Sequence, residues 1–437
     1  MKNIGLKITL ERIIQGVREN GIQPHRRLGM SLAMLVVFAV SILAGPLETF
    51  MSSKGIDPGS TSVLILDLGT GKTIASSNAS TPLVPASIMK AVTIGALLNE
   101  TGPSYTYQTP VEISGTLENG VLDGNIYVKG SGDPSLNSRY VAHNVDFCDE
   151  IAAYLKKAGV ERVKGKVYVD ESIWCGPAVC PSWAQGDLSK NYGTGQHGLN
   201  FSDNAVGKSS IANPAGAFLQ ALKRRLTSKG ITLQNGTASD SNRRLLVNHK
   251  SVAIDEIMRS CMMRSDNQYA EAMLRTLAVA KGKIGSVADG AQASTDFWKS
   301  KKVPMDGVRI VDGSGLSRSN RLTANFMASA LQSMANNPYY ASFFPLAGQE
   351  GTLKGFLVGT PLEGYVAMKT GSMNGIQCYA GYVLDDDYAP THVVVFMMNN
   401  LVSRDRAKKD AQKLLLSLFA PQFNENEIVP DETQPEE

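Results

Sequence analysis

The sequence predicts a mixed α/β fold in which one five-stranded antiparallel sheet is assembled from the two ends of the chain. A helical subdomain accompanies the sheet, and a shortened β-rich insertion interrupts it. Three observations point there. Two strand patterns lie near residue 60 and three more lie near the C-terminus; a 27-residue stretch, 254–280, has helical spacing; and between them the pattern turns to short strands broken by Gly, Pro and Asn.

The elements follow in order. Thr61 to Leu68 (TSVLILDL) has the β-branched run of a buried strand, and Gly69-Thr70-Gly71-Lys72 turns it into a second strand over Thr73 to Ser76. After the prolines Pro82 and Pro85, IMKAVTIGALLNE reads as a helix packed on both sides, which puts Ser87 at a helix N-terminus. Residues 102–250 form the inserted region, with expected strands at Val121 to Lys129 and Val163 to Asp170 and a helix from Ala215 to Lys229. Ile254 to Ala280 carries two helices meeting near Ser265-Asp266-Asn267. Tyr365 to Lys369, Cys378 to Leu384 and His392 to Met398 supply the three later strands, and Ser403 to Phe419 a closing helix. The core domain is therefore expected over 50–101 and 251–421, followed by an acidic, disordered tail over 422–437.

Composition excludes little by itself. At 437 residues with 43% hydrophobic and 19% charged residues, the chain is ordinary for a globular protein. The net charge of +3 is small, and neither end resembles a nucleic-acid surface. Residues 1–27 are basic and precede the uncharged run LGMSLAMLVVFAVSILA over 28–44. Positive charge before an apolar segment predicts that the remainder is exported, with 28–44 either a membrane anchor or a signal cleaved near Ala44-Gly45. Cys148, Cys175, Cys180, Cys261 and Cys378 are too few and scattered for a disulfide framework or a zinc site. Cys175 and Cys180 flank a Gly-Pro loop and either bridge or stand as two thiols. The five histidines have no metal-ligand spacing, so no metal and no cofactor are expected, and no Gly-x-Ser-x-Gly elbow supports a histidine triad.

The chemistry concentrates in three short motifs. Ser87-Ile88-Met89-Lys90 places a lysine amine one helical turn from a serine hydroxyl, at a helix end that favours developing negative charge. A Lys90 held neutral by burial can act as general base toward Ser87. Alone, the tetrapeptide is weak, since a capping serine and a surface lysine give the same string. Ser265-Asp266-Asn267 at a helix junction and Lys369-Thr370-Gly371-Ser372 at the end of a strand change that. Ser265 can relay a proton to a leaving nitrogen, Asn267 can hold Lys90 and a substrate amide, and Lys369 with Thr370 can grip a carboxylate. Gly371 lets a substrate backbone lie along the strand edge, and the N–H groups of Ser87 and Ser372 would form an oxyanion hole. A second SDN, Ser202-Asp203-Asn204, lacks the helix-junction setting.

Ser-x-x-Lys, SDN and KTG in this order resemble the penicillin-recognising serine enzymes. Within them the chain is similar to the D-alanyl-D-alanine carboxypeptidase and endopeptidase family of low-molecular-mass class C penicillin-binding proteins. Segments carrying the likeness include Gly124-Asn125-Ile126-Tyr127-Val128, Gly132-Asp133-Pro134, Leu199-Asn200-Phe201, Asp312-Gly313-Ser314-Gly315-Leu316-Ser317-Arg318 and Gly351-Thr352-Leu353. The resemblance implies a penicillin-recognising domain interrupted by β-rich accessory domains, here reduced near Asn204 to Asn213. It also implies an acyl-enzyme on Ser87, with peptidoglycan peptides and β-lactams as partners, and membrane contact only through an uncleaved N-terminal segment. A β-lactamase would need a carboxylate to activate deacylating water. Of Glu271, Glu350 and Glu363, none opens a Glu-x-x-Leu-Asn. A silent wall-binding scaffold would be expected to have lost motif residues, and Ser87, Lys90, Ser265, Asn267, Lys369, Thr370 and Gly371 are all present. For Asp312 to Ser317 the sequence assigns no chemical role and leaves two readings open, a turn against the active site and a structural loop.

Overall fold

The computed structural model describes residues 45–142 and 145–425, without the side chains of 422–425. The expected basic segment 1–27 and the apolar run 28–44 lie outside the described residues. So does the tail beyond 425. A six-residue helix over Pro46–Met51, opened by Pro46, is a unit apart. Among the described residues no helix is long and apolar enough to cross a membrane.

From residue 53 onward the strands in chain order are β1 (Thr61–Asp67), β2 (Thr73–Ser77), β3 (Gln108–Ile113), β4 (Thr116–Glu118), β5 (Val121–Asp123), β6 (Ile126–Lys129), β7 (Arg162–Val163), β8 (Val167–Asp170), β9 (Ala205–Val206), β10 (Ser209–Ser210), β11 (Thr232–Leu233), β12 (Arg244–Lys250), β13 (Val366–Met373), β14 (Ile376–Leu384) and β15 (Pro390–Met398). The helices are α1 (Met89–Thr101), α2 (Phe147–Lys157), α3 (Pro214–Ser228), α4 (Ile254–Arg264), α5 (Asn267–Ala280), α6 (Val287–Ser300), α7 (Ala324–Met334) and α8 (Arg404–Glu425).

The expected sheet is present, antiparallel in the order β13-β14-β15-β1-β2. Interior strand β14 is buried at every residue, as its apolar run IQCYAGYVL requires. Helix α1 is buried from Met89 through Leu98, which explains why its sequence is apolar on all faces. Its Gly95 passes close to two rings, since a Cβ there would sit 3.1 Å from Trp298. Lys369-Thr370-Gly371 lies inside β13, which continues to Met373, and not at the strand's end as the sequence suggests. Helix α8 likewise runs on to Glu425, past both the Phe419 end read from the sequence and the 422 boundary of the expected tail.

The insertion differs most from expectation. Val121 to Lys129 and Val163 to Asp170 each split in two, and the halves join different sheets, β11-β7-β5-β4 and β12-β3-β6-β8. The breaks fall at Gly124 and Gly165. A Cβ at Gly124 would lie 1.8 Å from the Ser114 carbonyl oxygen, and one at Gly165 would lie 2.2 Å from Asn125 Oδ1. Only glycine lets the backbones cross so closely. Helix α2, which the strand-rich reading omits, packs with α3 over these sheets. Phe147, Ile151, Leu155, Phe218 and Leu222 fill a core confined to residues of the insertion.

Candidate active site

Ser87 lies in a single 3-10 turn, Ala86–Ile88, that feeds directly into α1. Ala86 just before it has φ +49°, a left-handed conformation costly for a residue with a side chain. Two glycines brace this turn. A Cβ on Gly371 of β13 would stand 2.6 Å from the Pro85 oxygen and 3.1 Å from the Ser87 nitrogen, and one on Gly315 would stand 1.8 Å from the Ala86 oxygen. The turn carrying Ser87 is thus wedged between a strand and the Asp312–Ser317 loop.

One turn along α1, Lys90 is fully buried, and its Nζ donates to three oxygens. These are Ser87 Oγ at 2.9 Å, Asn267 Oδ1 at 2.6 Å and the Ser314 carbonyl at 2.8 Å. Burial lowers the Lys90 pKa from its ordinary value, against the opposing pull of Cys261, Asp266, Asp312 and Glu271. A lysine so held is biased toward the free amine. In that form the Ser87 hydroxyl becomes the donor.

The SDN stretch links two helices. Ser265, at φ +58°, ends α4, and the Asp266 side chain caps α5 by accepting from the Tyr269 N–H at 3.1 Å. That turn aims Ser265 at the cleft and Asn267 at Lys90. The Asn267 Nδ2, expected to meet substrate, donates to the Tyr192 carbonyl at 2.8 Å. Lys369 donates to Ser265 Oγ at 2.9 Å and to the Thr370 carbonyl at 2.8 Å. It is fully buried, and burial, followed by the charge of Lys90, pushes its pKa well below the ordinary value. Thr370 Oγ1 donates to Thr352 Oγ1, and Ser372 Oγ to Gln377 Oε1, both at 2.8 Å.

Ser87, Ser265, Thr370 and Ser372 open into one cleft of ≈ 330 Å³. A larger hollow of ≈ 570 Å³, floored by Phe344, Leu346 and Ala367, touches none of the motif residues. The second SDN is elsewhere. Asn204 is buried, bonding Phe201, Gly195 and Asn200, while Asp203 accepts from Ser138 Oγ at 2.5 Å. All five cysteines are free, Cys175 and Cys180 included, and among the described residues no cluster suited to a metal occurs.

Of the two readings left open for Asp312 to Ser317, the structure has the turn, packed against α1 behind Ser87. Besides the Ser314 carbonyl on Lys90, the Gly313 carbonyl accepts from Thr93 Oγ1 at 2.8 Å. Glu271 Oε1 holds the loop by accepting from the Gly313 and Ser314 N–H groups at 3.0 and 2.8 Å. Asp312 accepts from Gly315 N, Ser317 N, Asn320 Nδ2 and Trp183 Nε1. Burial, reinforced by Asp312, raises the Glu271 pKa to about 8. Its carboxyl group is a buried strut with no face on the cleft, unlike the water-activating carboxylate of a β-lactamase.

The family model for the D-Ala-D-Ala carboxypeptidase 3 (S13) family matches residues 46–216 and 207–420. A D-alanyl-D-alanine carboxypeptidase of Actinomadura sp. is 23% identical over 82% of this chain and 82% of its own. The D-alanyl-D-alanine carboxypeptidase DacB of Haemophilus influenzae is 23% identical over 90% of this chain and 97% of its own. The crystal structure of penicillin binding protein 4 from Haemophilus influenzae superposes with a TM-score of 0.73 at 22% identity, covering 88% of this chain and 99% of that one.

Proposed function

Because the chain belongs to the D-Ala-D-Ala carboxypeptidase 3 (S13) family, we propose that it hydrolyses D-alanyl-D-alanine peptides of peptidoglycan through an acyl-enzyme on Ser87. The observation that carries this reading is the buried Lys90 amine 2.9 Å from Ser87 Oγ, fixed by Asn267 and the Ser314 carbonyl. The free amine takes the Ser87 proton as Oγ attacks the carbonyl of the penultimate residue. The tetrahedral oxyanion forms beside the Ser87 and Ser372 N–H groups, at the start of α1 where the helix dipole adds to their field. Ser265 Oγ protonates the departing nitrogen and is resupplied across its contact with Lys369. Thr370 and Ser372 face the leaving residue, and water then releases the acyl group. Penicillins enter by the same attack and leave slowly.

Glu271 is committed to the Gly313–Ser314 backbone, which disfavours fast β-lactam hydrolysis. Residues 102–250 are an accessory body within this reading, a division supported by their own core. The uncharged run after Arg26-Arg27 supports an exported setting, as a cell-wall substrate requires.

The test is incubation with a fluorescent penicillin and, separately, with a pentapeptide ending in D-Ala-D-Ala. Expected are a slowly released adduct on Ser87 and free D-alanine, both absent in Ser87→Ala. Equal labelling of Ser87→Ala, or a wild type that neither labels nor releases D-alanine, refutes the proposal.

A further inference from the structure

We propose that Lys408 of α8 sets specificity for the substrate's terminal carboxylate, supplying the positive charge of the subsite built by Thr370 and Ser372. The inference rests on the carboxypeptidase reading above and deepens it. D-Ala-D-Ala ends in a carboxylate, which the cleft must tell apart from an amide.

The sequence points to Lys369 for that task, and the structure gives it other work. Lys369 is fully buried, spends donors on Ser265 Oγ and the Thr370 carbonyl, and is absent from the cleft lining. Thr370 and Ser372 bring hydroxyls, which are neutral. The other lining residues are Ser87, Ser265, Thr352, Leu353, Phe356, Gln377 and Tyr379, so among the described residues Lys408 is the one formal charge on this wall.

Its presence there is not accidental to the helix surface. Lys408 is half-buried, and its Nζ donates to the Gly355 carbonyl at 2.5 Å, which draws the side chain over the segment following Gly351–Leu353. One bond leaves two ammonium donors free for an anion. Neighbouring Phe356 and Tyr379, with ring centroids 4.9 Å apart, form an apolar flank that weakens competition from water. An ammonium, two hydroxyls and an apolar flank together suit a single carboxylate on a small residue.

The experiment compares two acyl-D-Ala-D-alanine substrates, one with a free terminal carboxylate and one amidated, in wild type, Lys408→Gln and Lys408→Arg. Gln keeps a donor for the Gly355 carbonyl and removes the charge, whereas Arg keeps both. For wild type the ratio of kcat/KM between the two substrates favours the carboxylate. In Lys408→Gln that ratio falls about tenfold, the size expected for a lost charge-assisted hydrogen bond at a half-exposed site, and Lys408→Arg restores most of it. An unchanged ratio in Lys408→Gln, or equal loss on both substrates with a lowered Tm, overturns the assignment. Release of D-alanine by Ser87→Ala would instead sink the acyl-enzyme reading, and leaves the Lys408 ratio readable.

Discussion

A methyl group placed on Gly315 tests whether the Asp312–Ser317 loop positions the nucleophile. Gly315 has φ +81°, and its added Cβ would meet the Ala86 oxygen at 1.8 Å, the Ala86 carbon at 2.5 Å and Met89 Cβ at 3.0 Å. Real Cβ contacts stop near 3.0 Å, so the Ala86 carbonyl and the loop must separate by roughly 1.2 Å. Ala86 precedes Ser87, and Ser314, whose carbonyl receives the Lys90 proton, precedes Gly315. Both partners of the Ser87–Lys90 pair therefore shift. A displacement of about 1 Å in a reacting group is worth on the order of 100-fold in rate, while left-handed strain and overpacking together cost about 2–5 kcal/mol of stability. Stopped-flow labelling of Gly315→Ala with a fluorescent penicillin should show acylation slowed about 100-fold in a protein that still unfolds cooperatively. Gly359→Ala is the control, since φ there is +68° with nothing within 4 Å of the added carbon. It should lose about 1 kcal/mol of stability and acylate at the wild-type rate. Wild-type acylation by Gly315→Ala would refute the positioning argument.

The remaining expectations address the charges and the two SDN motifs. Acylation should rise with pH to a plateau whose midpoint lies below 10.5, because burial lowers the pKa of the base Lys90 and the free amine is the active form; a pH-independent rate constant would contradict its role. Ser265→Ala should slow D-alanine release on the order of 100-fold, the usual effect of losing a proton relay, while Ser202→Ala should leave it unchanged, as read by a D-alanine assay. Glu271→Gln keeps an acceptor for the Gly313 and Ser314 N–H groups and removes a titrating acid. Glu271 holds its proton up to about 8 in the folded protein and to 4.5 when unperturbed, so its contribution to wild-type stability falls as pH rises between those values. Denaturant unfolding at pH 5 and pH 8 should show that the difference, wild type minus Glu271→Gln, becomes less favourable at the higher pH; a constant difference would remove Glu271 as the titrating strut.

The motifs were legible because each is local. Ser87 and Lys90 share a helical turn, and Ser265 to Asn267 is a helix end followed by a helix cap, patterns that neighbouring residues determine. The sheet was legible for the same reason, strand by strand. What sequence could not supply were contacts between distant positions. The Ser314 carbonyl lies 224 residues from Lys90, and a backbone oxygen leaves no mark in composition. Asp312 and Glu271 read as ordinary acids until their burial is known. Gly290 shows the same dependence on distant positions: a Cβ there would stand 2.2 Å from the Leu274 carbonyl oxygen, so the glycine lets α6 approach α5. Gly124 and Gly165 mislead, since alternation reads straight across them while the chain changes sheets.

The two buried lysines differ in a way that divides the labour of the site. Lys90 is ringed by groups that favour its ammonium form, namely Cys261, Asp266, Asp312 and Glu271, whereas Lys369 has only Cys261 to offset burial and the charge of Lys90. Each amine disfavours a proton on the other, so adding one to Lys90 as Ser87 attacks makes Lys369 a stronger acid. In the proposed mechanism that is the moment when Ser265, hydrogen-bonded to Lys369 at 2.9 Å, delivers a proton to the leaving nitrogen. On that reading the proton gained by Lys90 favours the one given through Ser265. Both amines are buried, whereas Lys408 is the cation among the described residues that line the cleft, so the proposed carboxylate role falls to a different lysine from the two proposed proton-transfer roles.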